Sequence, residues 1–163
     1  MDYFYQKALL FVINRLLLPV YDLQRLYIPF LIKTNKMVSE TRLYDAFGEL
    51  IYTVAVADGM IQDEEIKVIE EKLQDYKWGD DVKWSFNYEK KKGSDLKETY
   101  LKALETFKEY GPHPDYYNLI ELLEEVAKAS NGFEKKEGRV ISIFNKSLKA
   151  HFLEYLTENG LRR

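Results

Sequence analysis

Three acidic residues at a turn between two helix-like segments are the residues of this chain best suited to chemistry. Asp58 lies in the turn, and Glu64 and Glu65 follow it at the start of the second segment. Hard divalent cations such as Ca²⁺, Mg²⁺ and Mn²⁺ are bound by several oxygen ligands, which carboxylates supply. The spacing therefore predicts a site for one divalent cation, provided that the turn brings the three carboxylates together.

Helix capping is a second explanation for the same carboxylates. Gln62 stands where the cap of the second segment is expected, and Glu65 can reach back to its N–H group in a capping box. Acidic side chains in a first turn also face the unpaired N–H groups and the positive end of the helix dipole. From the sequence, a cation site and a purely structural role for this acidic turn both stay open.

A true EF-hand is excluded at this turn. A loop with Glu65 as its last ligand would place Val54 and Val56 at the first and third ligand positions. Neither side chain can bind a cation. Further oxygen ligands would have to come from elsewhere in the chain.

A second copy of the turn and its flanking segments occurs 72 residues downstream, and the shift aligns Glu65 with Glu137 without a gap. Self-similarity at a fixed period is typical of a duplicated unit. Asn131 and Glu137 thereby become candidate ligands from the second half, whereas Lys135 and Lys136 replace two of the acidic residues and disfavour a second equal site. The aligned apolar pairs are Leu50 with Leu122, Val54 with Val126, Val68 with Val140, and Ile69 with Ile141.

Apolar residues recur at steps of three and four on both sides of each turn, which is the pattern of amphipathic helices. The chain is therefore predicted to be all-α, a helical bundle of two related helix–elbow–helix repeats at about 43–76 and 115–156. A further helix is expected from Ser94 or Asp95 to about Tyr110.

Residues 78–93 interrupt this pattern. Trp84, Phe86 and Tyr88 alternate with Ser85 and Asn87, a period of two that is typical of extended backbone. A lone strand leaves its backbone groups unpaired, so the alternation predicts a packed loop.

Residues 1–36 differ from the rest and are predicted to form a hydrophobic helical arm ahead of a domain at 37–163. Pro19 and Pro29 divide the arm, its charges lean basic, and no apolar run approaches the about 20 residues that span a bilayer. No cleavage site for a signal peptide is evident. The arm would pack against the core or a partner subunit, or would lie at a membrane surface; a third explanation is that the chain properly begins at Met37.

The composition of the chain argues against several classes of function. A net charge of −3 argues against nucleic-acid binding, and the absence of cysteine excludes disulfides and thiol catalysis and fits the cytoplasm. His113 and His151 belong to no recognisable catalytic arrangement. His113-Pro114-Asp115 matches the J-domain tripeptide, but the preceding Gly111-Pro112 favours a simple helix stop.

Three stretches resemble the tellurite-resistance TerB family: Ala57 to Glu65, Trp84 to Tyr88, and Ala129 to Phe133. The resemblance extends over roughly residues 39–152. It implies an all-helical fold with two related halves and a role in divalent-metal binding or stress response, without implying a known reaction.

The expected function is thus a non-enzymatic TerB-like binding or scaffold module of the cytoplasm, with one divalent cation at Asp58, Glu64 and Glu65 and weaker contributions from Asn131 and Glu137. An alternative is an interaction module that binds an unknown protein partner, a second copy of itself, or a membrane periphery through residues 1–36. A metal-dependent hydrolase is the third possibility.

Overall fold

The computed structural model describes residues 40–129 and 135–158. Within these ranges the chain forms helices and no strands, which confirms the predicted all-α bundle. Residues 1–36, the predicted arm, and Asn131 lie outside the described residues. The helices are α1 (Glu40–Ala55), α2 (Asp63–Leu73), α3 (Gly79–Lys92), α4 (Leu96–Tyr110), α5 (Asp115–Ala129) and α6 (Lys135–Glu158).

Helix α1 is the centre of the bundle. It packs against α3, α4, α5 and α6, and every residue from Ala46 to Ala55 is buried. The sequence pattern predicted a single buried face. The helix is buried around most of its circumference because four other helices surround it.

An aromatic cluster joins four of these helices. Phe47 of α1 stacks on Phe107 of α4 with 5.2 Å between ring centroids. Phe107 also meets Phe144 of α6 edge-on at 5.0 Å and lies 4.9 Å from Tyr116 of α5. The buried hydroxyl of Tyr116 donates to the carbonyl of Phe107 at 3.2 Å, so its polar atom is satisfied within the core.

The prediction of a packed loop at 78–93 is wrong, because residues 79–92 form helix α3. Val82 and Phe86 lie one turn apart on the face that packs against α1, whereas Trp84 and Tyr88 share the opposite, exposed face. Residues two positions apart on an α-helix are separated by about 200° of rotation and so lie on nearly opposite faces. Phe86 therefore lies on the face opposite to the aromatic residues two positions before and after it, and this produced the apparent alternation. Gly93 ends α3 with a φ of 64°.

The predicted helix signals are confirmed at two positions. The Glu65 Oε2 atom accepts the backbone N–H of Gln62 at 2.7 Å, which is the reach-back contact of a capping box. The Asp95 carboxylate accepts the N–H of Glu98 at 2.9 Å at the start of α4. Gly59, in the turn after α1, has a φ of 119°, which a residue with a side chain rarely adopts.

Helix α2 packs against α5 and α3. Lys72 of α2 pairs with Glu125 of α5 at 2.8 Å, and Glu70 pairs with Lys83 of α3 at 3.2 Å. The C-terminal half of α2 is thereby held beside α5 and α3. None of the helices described is long and apolar enough to cross a membrane.

Candidate functional site

The carboxyl groups of Glu65 and Glu137 meet in the interior of the bundle. Each is the third residue of its helix, α2 or α6, and both residues are fully buried. Their side chains are close enough to hydrogen-bond to each other. Two residues that the sequence places 72 positions apart are thus neighbours, as the internal alignment predicted; the duplication itself stays a prediction.

The two oxygens of Glu65 have different surroundings. Oε2 accepts the N–H of Gln62, whereas Oε1 is buried and accepts no hydrogen bond from an N–H or hydroxyl group of the described residues. Helix capping therefore accounts for one oxygen of this carboxyl group, and the contact of the group with Glu137 is not part of the cap.

The electrostatic environment of Glu65 disfavours its charged form. Desolvation by burial raises the pKa of the Glu65 carboxyl above its ordinary value, and the negative charges of Asp58 and Glu64 raise it further. The hydrogen bonds with Gln62 and Glu137 act in the opposite direction and lower this pKa. The net shift is upward, so a proton or a cation at this carboxyl would relieve the repulsion.

The remaining predicted ligands are less well placed. Asp58 is partly buried, and its Oδ1 atom accepts the N–H of Met60 at 3.1 Å. Glu64 is exposed to solvent. Asn131 falls outside the described ranges. Across residues 40–129 and 135–158, no three Asp, Glu or His side chains are grouped closely enough to hold a metal ion.

Two chemical arrangements suit a pair of buried carboxyl groups. A carboxylate has only acceptor atoms, so a direct hydrogen bond between Glu65 and Glu137 requires a proton on one of them. Alternatively, both can be ionised with a cation between them. Mg²⁺ is commonly bound through one or two carboxylates while it keeps several of its waters. The pair is thus suited to a proton or to a hydrated cation.

A second buried carboxylate, Glu49 on α1, was not singled out from the sequence. Its Oε1 atom lies 3.0 Å from Nη1 of Arg42 and 2.7 Å from Nζ of Lys102, while Oε2 is buried without a hydrogen-bond donor among the described residues. Arg42 also donates to Thr106 at 3.0 Å. With two cations on one carboxylate, the arrangement is an ion pair network between α1 and α4. An acidic residue between Gly48 and Leu50, in the middle of an apolar helix, was the available sequence signal.

His113 is buried among aromatic rings in the connection between α4 and α5. Its ring lies 5.3 Å from that of Tyr110, and its Nδ1 atom accepts the N–H of Asp115 at 3.3 Å. Desolvation lowers the pKa of the imidazole, and the charges of Asp115 and Glu40 act in the opposite direction. The imidazole is held by local structure, in keeping with the helix stop that the sequence predicts here.

No protein-family model, curated protein or solved structure matches this chain.

Proposed function

We propose that this chain is a non-enzymatic binding module of the kind that the TerB resemblance implies, and that it holds one divalent cation between Glu65 and Glu137. The observation that carries the proposal is that two fully buried carboxyl groups lie within hydrogen-bonding reach of each other, and that Oε1 of Glu65 accepts no hydrogen bond from an N–H or hydroxyl group of the described residues. A buried carboxylate is strongly destabilised unless it is paired or coordinates a cation.

The ligand set favours Mg²⁺ or Mn²⁺ over Ca²⁺. Ca²⁺ takes about six to eight oxygen ligands, whereas Mg²⁺ accepts few protein carboxylates and keeps water in its other positions. Two buried carboxylates, with Asp58 near enough to act on Glu65 electrostatically, match the small number of protein ligands that Mg²⁺ accepts. Asn131 remains a candidate ligand on the sequence alignment alone. A role in a stress or tellurite-resistance-like system rests on the resemblance.

The test is thermal unfolding of the metal-stripped protein with and without millimolar Mg²⁺, Mn²⁺ or Ca²⁺. A cation that binds only the folded state adds about 2.7 kcal/mol to the unfolding free energy at a hundredfold excess over its dissociation constant. That gain should disappear in Glu65→Gln and in Glu137→Gln, which keep the size of the side chain and remove its charge.

Glu64→Gln is the matched control, because Glu64 is the exposed neighbour of Glu65 on the same helix turn. It should retain most of the stabilisation. A protein that gains nothing from any cation at neutral pH would leave the shared proton as the explanation of the carboxyl pair, and the cation site would be abandoned.

A further inference from the structure

Helix α3 presents two large aromatic side chains to solvent. Trp84 is 64% exposed and Tyr88 is 50% exposed, and they stack on each other one helix turn apart with 5.6 Å between ring centroids. Burial of the opposite face, through Val82 and Phe86, fixes the orientation of the helix. The two rings therefore cannot turn inward without disrupting the core.

Basic residues continue the same face toward the end of the helix. Nζ of Lys92 lies 5.9 Å from the centroid of the Tyr88 ring, at cation–π distance, and the neighbouring Lys90 and Lys91 are exposed. Trp84, Tyr88 and Lys92 are spaced by four residues, so they follow one another along one side of the helix. We refer to Trp84, Tyr88, Lys91 and Lys92 as the aromatic–lysine face.

We propose that the aromatic–lysine face docks the protein onto an anionic lipid surface. Trp and Tyr are enriched at membrane–water interfaces because their rings are apolar and their N–H or hydroxyl groups remain hydrated. Lysine side chains beside them contact anionic headgroups while their methylene groups cover apolar surface. The projecting side of a single helix also suits a flat partner better than a ligand that needs a cleft.

The distribution of charge along α3 supports a lipid partner and sets the orientation of the helix on the lipid surface. The last turn of α3 carries Lys90, Lys91 and Lys92, whereas its first turn carries the exposed acidic residues Asp80 and Asp81. An anionic surface would attract the end of the helix that bears the lysines and repel the other end. Because the chain as a whole has a net charge of −3, attraction to such a surface must come from a local patch.

The experiment is binding of the full-length chain to phosphatidylcholine vesicles with and without 30 to 40% phosphatidylserine, a composition of about one third anionic lipid that gives a strongly negative surface. Wild-type protein should float with the anionic vesicles and not with the neutral ones. Trp84→Ala with Tyr88→Ala should weaken binding about tenfold or more. Lys91→Gln with Lys92→Gln should weaken it about fivefold for each lysine removed.

A matched control removes exposed apolar side chains elsewhere. Met60→Ala with Ile143→Ala changes residues that are 69% and 48% exposed on other parts of the surface, and it should leave vesicle binding unchanged. Absence of wild-type binding, equal binding to neutral vesicles, or full binding by the Trp84/Tyr88 variant would each overturn the proposal. In the last case the attachment lies elsewhere in the chain.

Fluorescence gives a second readout that does not depend on the stability of an alanine variant. The chain has only two tryptophans, and Trp78 is buried while Trp84 is exposed. Emission of the wild-type protein should shift to the blue on anionic vesicles and be quenched by brominated lipid. Trp84→Phe should lose both effects; their persistence in that variant would contradict insertion of Trp84.

Discussion

Gly48 of α1 lies directly against Ser85 of α3. A Cβ atom built on Gly48 would come within 2.6 Å of both the Ser85 Cβ and the carbonyl oxygen of Val82, closer than atoms can approach. The hydroxyl of Ser85 in turn donates to the carbonyl of Asp45 at 2.7 Å. The small residue at 48 is therefore what allows the central helix and α3 to approach so closely.

Gly48→Ala should lower the free energy of unfolding by about 1–3 kcal/mol, because overpacking a tight contact forces the helices apart. The loss should outweigh the about 0.5–1 kcal/mol that alanine gains over glycine inside a helix. Urea unfolding followed by circular dichroism measures the difference. Asn87→Ala, at an exposed position of α3, is the control and should change stability by less than about 0.5 kcal/mol. A Gly48→Ala protein as stable as the wild type would show that the helices are not in this close contact.

Glu65→Gln should change how stability depends on pH in the metal-free protein. The pKa of Glu65 is raised in the native state above its ordinary value of 4.5. The native state therefore binds this proton more tightly than the unfolded state does. Its contribution to stability is complete below pH 4.5 and is lost as the pH rises through the native pKa.

Urea unfolding at several pH values from 4.5 upward measures this effect. The wild-type protein should lose stability with rising pH over the window between the unfolded and native pKa values of Glu65, and Glu65→Gln should remove that component. Glu64→Gln should keep most of it, because burial, the largest cause of the shift, is unchanged. Identical pH profiles for the wild type and Glu65→Gln would mean that burial of Glu65 does not perturb its ionisation.

His113 should titrate below the ordinary histidine value of 6.5, since desolvation lowers its pKa. The effect of this shift on stability has the opposite pH dependence to that of Glu65. The neutral imidazole stabilises the native state fully above pH 6.5, and this contribution is lost as the pH falls through the lower native pKa. Proton NMR of the imidazole ring measures the midpoint directly. The same resonance in urea-unfolded protein provides the reference, and a native midpoint at or above that reference would contradict the prediction.

Arg42→Gln and Lys102→Gln should be strongly non-additive. Each cation is partly exposed and each pairs with the same buried atom, Oε1 of Glu49, so either one can compensate for the loss of the other. Single changes should cost about 1 kcal/mol or less. The double change leaves a buried carboxylate without a cation and should cost about 3 kcal/mol or more.

A double-mutant cycle from urea unfolding tests this network. Lys67→Gln is a suitable control for the loss of one lysine, because Lys67 is well exposed and its partner Glu71 is exposed as well. Additive effects of Arg42→Gln and Lys102→Gln would mean that the two cations act on Glu49 independently.

Periodicity predicted most of the helices because their buried residues are apolar and regularly spaced. It did not identify α3, where the aromatic residues at 84 and 88 are exposed and the buried face includes Ser85 and Glu89. Residue type is a poor guide to burial on such a helix. The capping contact between Glu65 and Gln62 was predictable because it depends on local spacing alone.

The candidate site was predictable only in part, because its geometry depends on how the turn and the helices pack. Alignment of the two halves indicated that Glu137 could approach Glu65, because equivalent positions of two related hairpins tend to lie at equivalent places in a fold. The exposure of Glu64 and the hydrogen bond of Asp58 to Met60 depend on how the turn packs. Sequence spacing carries no information about that packing, nor about the burial of Glu49.

The packing of α2 against α5 and α3 has a consequence for folding. The second helix of the first hairpin finds its partners outside that hairpin, and its ion pairs with Glu125 and Lys83 bind it to those partners. The first hairpin is therefore not closed on itself, and α2 reaches its native packing only when α3 and α5 are in place. A chain cut within residues 56–62 would yield two fragments that regain structure only on mixing, by complementation rather than by independent refolding.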